Sequence, residues 1–209
     1  FSEMNNLMNL KNNNNFLLRS KNYLNDLYNL FNEDIYLKIE HLAQNLQKVW
    51  QKGNNVFICG NGGSACNAMH IANDLHYGIG ACGLPPKIKG LKVEALPSNS
   101  GIITCLANDI GYEDIYSHQL ENKGNNGDIL IALSGSGNSP NIIKVLKTAS
   151  AKGVTSYAIL GFKGGESLNF ADYPIHFPID DMQICEDTQL IVGHICMQWL
   201  SENKPEFGN

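Results

Sequence analysis

The stretch VFICGNGGSACNAMHIANDL, residues 56–75, determines how the chain is interpreted. It begins with a short apolar run, passes through the turn GNGG and continues with apolar residues at helical spacing. An apolar run bounded by glycines predicts a buried strand, and the periodic segment after it predicts a helix. Residues 56–75 therefore predict a strand–turn–helix unit with a glycine-rich connection.

The same alternation of strand and helix continues to the end of the chain. Apolar runs predict strands at 56–59, 93–96, 128–133, 155–160 and 173–178. Helical patterns occupy 64–76, 101–122, 139–152, 165–171 and 183–202. This order is typical of an α/β fold in which a parallel sheet carries helices on both faces. Ligands of such sheets bind beyond the carboxyl ends of the strands, so the loops after Cys59, Leu96 and Leu133 are the candidate binding loops.

The N-terminal part of the chain has a different character from the α/β segment. Residues 1–18 are rich in asparagine and predict a flexible lead-in. Residues 19–53 carry apolar side chains at helical spacing and stop at Gly53, a residue that often ends helices. We interpret them as two helices whose apolar stripes serve oligomerisation, because the α/β domain predicted for 54–203 can form without them.

Composition excludes several classes of function. The 209 residues carry a net charge of −5 and are 43% hydrophobic, which favours neither nucleic acid nor an anionic membrane as a partner. No apolar run reaches the ~18 residues of a membrane span, and the first residues lack a signal-peptide pattern. The six cysteines form no C-x-x-C pair, so we expect reduced thiols in a cytoplasmic protein.

The first loop, GNGGSA at 60–65, is compatible with a phosphate or a dinucleotide as ligand. It fits the dinucleotide fingerprint G-x-G-x-x-A, which would make the protein an oxidoreductase. That fingerprint expects an acidic residue at the tip of the second strand, where this chain has PSNSG at 97–101. A Walker lysine is also missing, so the loop alone identifies no ligand.

The third loop, SGSGNSP at 134–140, favours phosphate. It directly follows a predicted strand, and Ser139 and Pro140 suit the N-cap and the first position of a helix. Three serine hydroxyls thus surround a helix N-terminus, whose free N–H groups and dipole attract anions. A flexible serine- and glycine-rich turn is the alternative, but it would not explain the position at a strand's carboxyl end.

Two pairs of potential metal ligands lie on predicted helices. His70 and Asp74 are four residues apart and share a helix face. Glu186 and His194 are eight residues apart, a rise of roughly 12 Å. Two imidazoles and two carboxylates suit zinc or another divalent ion. The rise requires that Glu186 lie at or before the helix start or that the two residues come from different subunits, and each histidine alone could equally be structural.

Together, GNGGSA, ALPSNS at 95–100, CLANDIGYED at 105–114 and LSGSGNSPN at 133–141 resemble the sugar isomerase (SIS) domain family, and most closely its phosphoheptose isomerases. The resemblance covers about 20–202. It implies a three-layer α/β/α flavodoxin-like sandwich with a five-stranded parallel sheet, and a homotetramer with active sites at subunit interfaces. It also implies isomerisation of sedoheptulose 7-phosphate to D-glycero-D-manno-heptose 7-phosphate through an enediol. Some relatives with this domain are non-catalytic binding proteins, one of which associates with a bacterial replication initiator.

The resemblance also implies roles for individual residues. Zinc or another divalent metal, one per active site, is bound at His70, Asp74, Glu186 and His194. Asp74 is the implied base and His194 the implied acid. The residues implied to bind substrate and phosphate are Asn61, Gly62, Gly63, Ser64, Ser98, Asn99, Ser134, Gly135, Ser136, Ser139 and Glu186. The chain departs from the family pattern where the family has Glu for Asp74, Gln for Glu186, Asp for Asn99, Arg for Gly78 and Thr for Gly135.

Overall fold

The fold is centred on one parallel sheet. The computed structural model describes residues 15–82 and 85–206, so residues 1–14 of the predicted lead-in lie outside the described part. All strand pairs are parallel, and the order is β2-β1-β3-β4-β5. The five strands are β1 Asn55–Gly60, β2 Lys92–Ala95, β3 Ile129–Ser134, β4 Thr155–Leu160 and β5 Tyr173–His176. The chain leaves β1 and β3 in opposite directions, which opens a crevice between their carboxyl ends.

Helices cover both faces of the sheet. They are α1 Phe16–Asn29, α2 Glu33–Lys52, α3 Gly63–Asn73, α4 Ser100–Asp109, α5 Ser117–Lys123, α6 Pro140–Lys152, α7 Ser167–Phe170 and α8 Met182–Glu202. A π-helical turn, Asp74–Gly78, extends α3.

Alternate residues of each strand feed two separate cores. On one face, Val56 and Ile58 pack with residues of α2, α3 and α8. On the other, Phe57 and Cys59 pack with residues of α5 and α6. Strands buried on both faces are expected to be continuous apolar runs, which is what the sequence shows. The predicted three-layer α/β/α sandwich with a five-stranded parallel sheet is confirmed.

The two N-terminal helices are present but differ in burial. Asn15 and Asn32 accept hydrogen bonds from the first turns of α1 and α2, and Gly53 ends α2 with φ +70°. Helix α2 buries a full stripe against the sheet, whereas α1 has no buried residue among those that the structure describes. The oligomerisation role of residues 19–53 stays a prediction.

One predicted helix is wrong. The segment 101–122 is divided into α4, a 3₁₀ turn at Tyr112–Asp114 and α5. The break follows from Gly111, whose φ of +114° lies outside the helical region and whose N–H bonds back to Leu106. None of the helices in residues 15–82 and 85–206 is both long and apolar enough to cross a membrane.

Candidate functional site

The loop after β1 is shaped by its glycines. A Cβ at Gly60 would meet the backbone of Ser64, so only glycine lets the strand end approach the first turn of α3. Gly62 precedes α3 with φ +55°. The tight turn therefore places the N-terminus of α3 directly beyond the end of β1.

The loop after β3 repeats this arrangement at α6. Ser139 is the N-cap in extended conformation and Pro140 is the first helical residue, as predicted. Gly137 has φ +67°, and a Cβ there would overlap the carbonyl oxygen of Gly164. Two helix N-termini thus lie beyond neighbouring parallel strands. Within the described residues, neither N-cap position, Gly62 or Ser139, provides a side-chain hydrogen bond to the first N–H groups of its helix.

A cavity of about 280 Å³ lies between these two loops. We call it the cradle. Its lining comprises Asn61, Gly62, Gly63, Ser64, Leu133, Ser134, Gly135, Ser136, Ser139, Met182 and Glu186. Nine of the predicted substrate and phosphate residues therefore share one pocket. Ser98 and Asn99 do not line it: both are exposed, and the Asn99 side chain accepts the Ile102 N–H at 3.1 Å as the N-cap of α4.

Three serine hydroxyls of the cradle act as acceptors inside the protein. Ser64 Oγ accepts from Gln189 Nε2 at 3.0 Å, Ser134 Oγ from the Gly137 N–H at 3.1 Å and Ser136 Oγ from the Asn138 N–H at 3.2 Å. A hydroxyl has one proton and two lone pairs, so an accepted bond leaves its proton available. The cradle can therefore donate three hydroxyl protons to an anion in addition to the helix dipoles.

Helix α8 closes the cradle with two side chains. Met182 packs where a Cβ at Gly135 would lie, so it occupies space next to the position where the family has Thr. The Glu186 carboxylate lies against Gly63, and Glu186 is the sole charged side chain among the described lining residues. An anion in the cradle is thus held by dipoles and hydroxyls and faces one like charge.

A second group of polar side chains lies further along α3 and α8. His70 Nε2 and His194 Nε2 are 3.0 Å apart, and Asp74 Oδ2 is 3.5 Å from each. Among the described residues these three form a candidate metal site, which we call the His–Asp–His cluster. The histidine side chains are 52% and 47% exposed and that of Asp74 is 19% exposed, so one side of the cluster is open.

The backbone at Asp74 is unusual. Asp74 begins the π-helical turn, in which its carbonyl accepts the Ile79 N–H. Single π turns within α-helices are frequent at functional sites because they re-aim the side chains that follow. The helical spacing of apolar residues in 64–76 predicts a regular helix and contains no signal for this turn.

Glu186 is not part of the cluster within one chain. It is the fifth residue of α8, which excludes the alternative that places it at or before the helix start and leaves a contribution from different subunits. Glu186 lies in the cradle and His194 in the cluster. Eight residues of regular helix separate the two side chains by roughly 12 Å, which agrees with their places in two different regions.

The three cluster residues fit a divalent ion. Tetrahedral zinc with bonds of ~2.0–2.1 Å places its ligand atoms about 3.3 Å apart, close to the 3.0 and 3.5 Å measured here. Two imidazoles and one carboxylate are a zinc-type donor set, and the open side leaves room for a further ligand. Without an ion, the 3.0 Å contact between the two ring nitrogens is a hydrogen bond whose donor depends on the histidine tautomers.

Several residues that support the site were not found from the sequence. Asn141 pairs with Asn61, Gln189 bonds to Ser64, and the Tyr116 hydroxyl donates to the Gly60 carbonyl. Burial raises the pKa of Tyr116 well above its ordinary value, so this hydroxyl keeps its proton. Asn141 and Gln189 are polar residues inside apolar helices, and such buried positions are the available sequence signal. None of the six cysteines is in a disulfide in this structure, and the reduced state of the thiols stays a prediction.

Comparison with known proteins agrees with this geometry. The profile of the SIS domain matches residues 21–161. A phosphoheptose isomerase of Aneurinibacillus thermoaerophilus is 35% identical over 175 residues, which cover 83% of this chain and 85% of that protein. One from Sulfurimonas denitrificans is 37% identical over 165 residues, covering 78% and 82%.

The fold has the same relatives. A phosphoheptose isomerase structure from Neisseria gonorrhoeae superimposes with a TM-score of 0.79 at 21% identity, covering 88% of this chain and 95% of that one. At this identity the superposition shows the fold alone, whereas the sequence matches show the family. The chain therefore belongs to the SIS domain family and, within it, to the phosphoheptose isomerases.

Proposed function

We propose that this protein isomerises sedoheptulose 7-phosphate to D-glycero-D-manno-heptose 7-phosphate for heptose biosynthesis. The observation that carries the proposal is the pairing of an anion cradle with a carboxylate–imidazole cluster on the same two helices. Helix α3 runs from Ser64 in the cradle to His70 in the cluster, and α8 runs from Glu186 to His194. A substrate with a phosphate at one end and a carbonyl at the other matches this arrangement.

The separation of the two regions supports a substrate of this length. Six residues of α3 and eight of α8 rise roughly 9 and 12 Å. An extended seven-carbon chain with carbon–carbon bonds of about 1.5 Å spans a distance of this order. Phosphate held in the cradle would thus place the carbonyl end near Asp74 and His194, and remote binding of this kind orients the reacting carbons.

The cluster supplies groups for proton transfer. Aldose–ketose isomerisation moves a proton between adjacent carbons through an enediol, which requires a base and an acid close together. We assign Asp74 as the base and His194 as the acid. Asp74 Oδ2 faces both histidines, which leaves its other carboxylate oxygen for the substrate C–H. The Asp74 side chain as a whole is 19% exposed, so its contact with water is limited.

We further propose that His70, Asp74 and His194 hold zinc or another divalent ion. When bound, such an ion polarises the substrate carbonyl as a Lewis acid. The Glu186 carboxylate is assigned to the cradle in one chain, and its role as a ligand requires a contribution from a neighbouring chain.

The assembly we propose is a homotetramer in the cytoplasm with active sites at subunit interfaces. Ile195, which follows the cluster residue His194 in sequence, is exposed and lines a groove together with Tyr36, Leu37 and Trp199. Exposed Leu24 and Tyr28 add apolar surface on α1. Exposed apolar surface of this kind marks association sites. Light scattering after gel filtration would measure the molar mass of the assembly and so test the tetramer.

The test is incubation of the purified protein with sedoheptulose 7-phosphate, with and without zinc, followed by identification of the sugar product. We expect the aldose to form, and to form faster with zinc. Tight phosphate binding without an aldose product in any condition would contradict the isomerase and favour a non-catalytic phosphosugar-binding protein.

A further inference from the structure

The side chain of Asn61 is held by another asparagine. Asn61 Nδ2 donates to Asn141 Oδ1 at 2.8 Å, and Asn141 Nδ2 donates to Asn61 Oδ1 at 2.8 Å. The two amides therefore form a reciprocal pair across 80 residues of sequence. Asn61 belongs to the loop after β1, whereas Asn141 lies in the first turn of α6, immediately after the loop that follows β3.

Burial makes this pair consequential. Asn141 is 1% exposed, so its amide has little access to water. A buried amide that loses its partner retains the cost of desolvation, which favours the paired arrangement over alternatives. The pair is thus a fixed cross-link between the two loops that form the cradle.

Aromatic hydroxyls hold the same loop from the other side. Tyr112 Oη donates to Asn61 Oδ1 at 3.2 Å, and Tyr116 Oη donates to the Gly60 carbonyl at 2.5 Å. Both acceptor sites of Asn61 Oδ1 are therefore in use, and the sugar would have to displace one of these contacts to reach it. The geometry favours a supporting role for this oxygen over direct substrate contact.

We propose that Asn141 is a positioning residue that fixes the separation of the two cradle loops through its amide pair with Asn61. The inference rests on the proposed phosphate-binding function of the cradle. Hydroxyls and amides from both loops must reach one phosphate at the same time, so preorganisation of their separation contributes directly to affinity.

A double-mutant cycle on phosphate affinity tests the proposal. The variants are Asn61→Ala, Asn141→Ala and both together, and the probe is inorganic phosphate measured by calorimetry. We expect each single variant to weaken binding about tenfold and the double variant to weaken it little further, because partners in one pair are not additive. Asn122→Ala is the matched control, since its side chain bonds to the exposed His118 carbonyl on α5.

Kinetics with sedoheptulose 7-phosphate provide a second readout. Asn141→Ala should raise KM much more than it lowers kcat, because Asp74 and His194 are untouched. Asn141→Asp should not recover the affinity, because its carboxylate cannot donate to Asn61 Oδ1 and adds a buried negative charge next to the anion site. Additive effects in the cycle, or full affinity in a folded Asn141→Ala protein, would overturn the proposal.

A measurement on the unmodified protein protects the test against variants that fail to fold. The Asn61 amide proton that is donated to Asn141 should exchange slowly with solvent in nuclear magnetic resonance spectra, whereas rapid exchange of both amide protons would contradict the pair. Failure of the proposed function is distinguishable from failure of this inference, because the unmodified protein would then bind neither phosphate nor sugar phosphate.

Discussion

The cradle and the His–Asp–His cluster lie on the same two helices but are built in different ways. The cradle is made of loop backbone, glycines that have no room for a side chain at Gly63 and Gly135, and hydroxyls with internal partners. The cluster consists of long side chains on helix surfaces, and both of its histidines are about half exposed. The cradle is therefore complete within one chain, whereas the cluster has an open side.

This difference separates binding from chemistry. Anion binding needs many fixed donors, which backbone geometry provides at small entropic cost. Proton transfer and metal binding need a few side chains with space for the substrate to enter. A variant of one region should therefore leave the other intact, and each prediction below depends on that independence.

The largest effect is expected from Asp74→Asn. The amide cannot accept the substrate proton, so kcat should fall about 10²- to 10⁴-fold, as expected for loss of a general base. Phosphate affinity should stay unchanged because Asp74 is outside the cradle lining. Steady-state kinetics and calorimetry measure the two quantities.

Asp109→Asn is the matched control for this prediction. Asp109 is an exposed carboxylate on α4, and its contacts are with Cys105 and Asn108. If Asp74→Asn turned over substrate at a rate close to that of this control, Asp74 would not be the base. The conclusion that the cluster performs the proton transfer would then be wrong.

The rigidity of the cradle predicts a loss of stability for Gly137→Ala. The added Cβ would overlap the Gly164 carbonyl, a backbone atom that cannot rotate away, and φ is +67°. We expect the free energy of unfolding to fall by roughly 3 kcal/mol or more, as overpacking adds to the strain of positive φ.

Gly62→Ala separates these two contributions. Gly62 also has positive φ, at +55°, but its added Cβ would meet nothing within 4 Å. Its cost should therefore be about 1–2 kcal/mol, the strain alone. Equal losses in urea denaturation for the two variants would mean that the loop after β3 relaxes and that the cradle is not tightly packed.

A smaller effect is expected from Glu186→Gln. This change removes the one negative charge that lines the cradle, so phosphate should bind more tightly. At an effective dielectric between that of protein and water, the gain is about 1 kcal/mol, or roughly fivefold in affinity. The gain should shrink as ionic strength rises.

Zinc affinity distinguishes the two possible positions of Glu186. If the Glu186 carboxylate belongs only to the cradle, Glu186→Gln should leave zinc affinity unchanged. If Glu186 is a metal ligand in a neighbouring chain's site, the same substitution should weaken zinc binding. Glu202→Gln, the same substitution at the far end of α8, controls for the general loss of charge. Weaker zinc binding specific to Glu186→Gln would transfer the residue from the cradle to the cluster.

The cradle was largely predictable because its signals are local. Apolar runs locate β1 and β3, and glycines and serines directly after them locate the binding loops. The adjacent residues Ser139 and Pro140 mark the start of α6. Structure at this range follows from backbone preferences, which one sequence displays.

Contacts between distant segments were not predictable in the same way. Residue spacing gave the rise between Glu186 and His194 but not the neighbour that Glu186 faces, which is Gly63 of another helix. The Asn61–Asn141 pair and the Gln189–Ser64 bond join residues more than 75 positions apart, so only the fold creates them. Gly111 was available as a break signal, but the apolar pattern on either side outweighed it.

The smallest effect concerns Tyr23, which attaches α1 to the helix that both regions share. Its hydroxyl donates to Asp187 Oδ2 at 2.5 Å, and burial, followed by this bond, raises the pKa of Tyr23. Since α1 has no buried residue in the part that the structure describes, Tyr23→Phe should loosen this helix by about 1 kcal/mol. Amide hydrogen exchange should then speed up in α1 and stay the same in α3 and α8.

Tyr28→Phe is the matched control, because Tyr28 lies on the same helix and is 75% exposed. Phosphate and zinc affinities should not change in either variant, since the Tyr23 hydroxyl bonds to Asp187, which is the neighbour of Glu186 and does not itself line the cradle. A clear loss of phosphate affinity in Tyr23→Phe alone would show that the first helix supports the cradle through α8. Phosphate binding in the cradle would then depend on the contact between α1 and Asp187, and the cradle would not be independent of the surrounding helices.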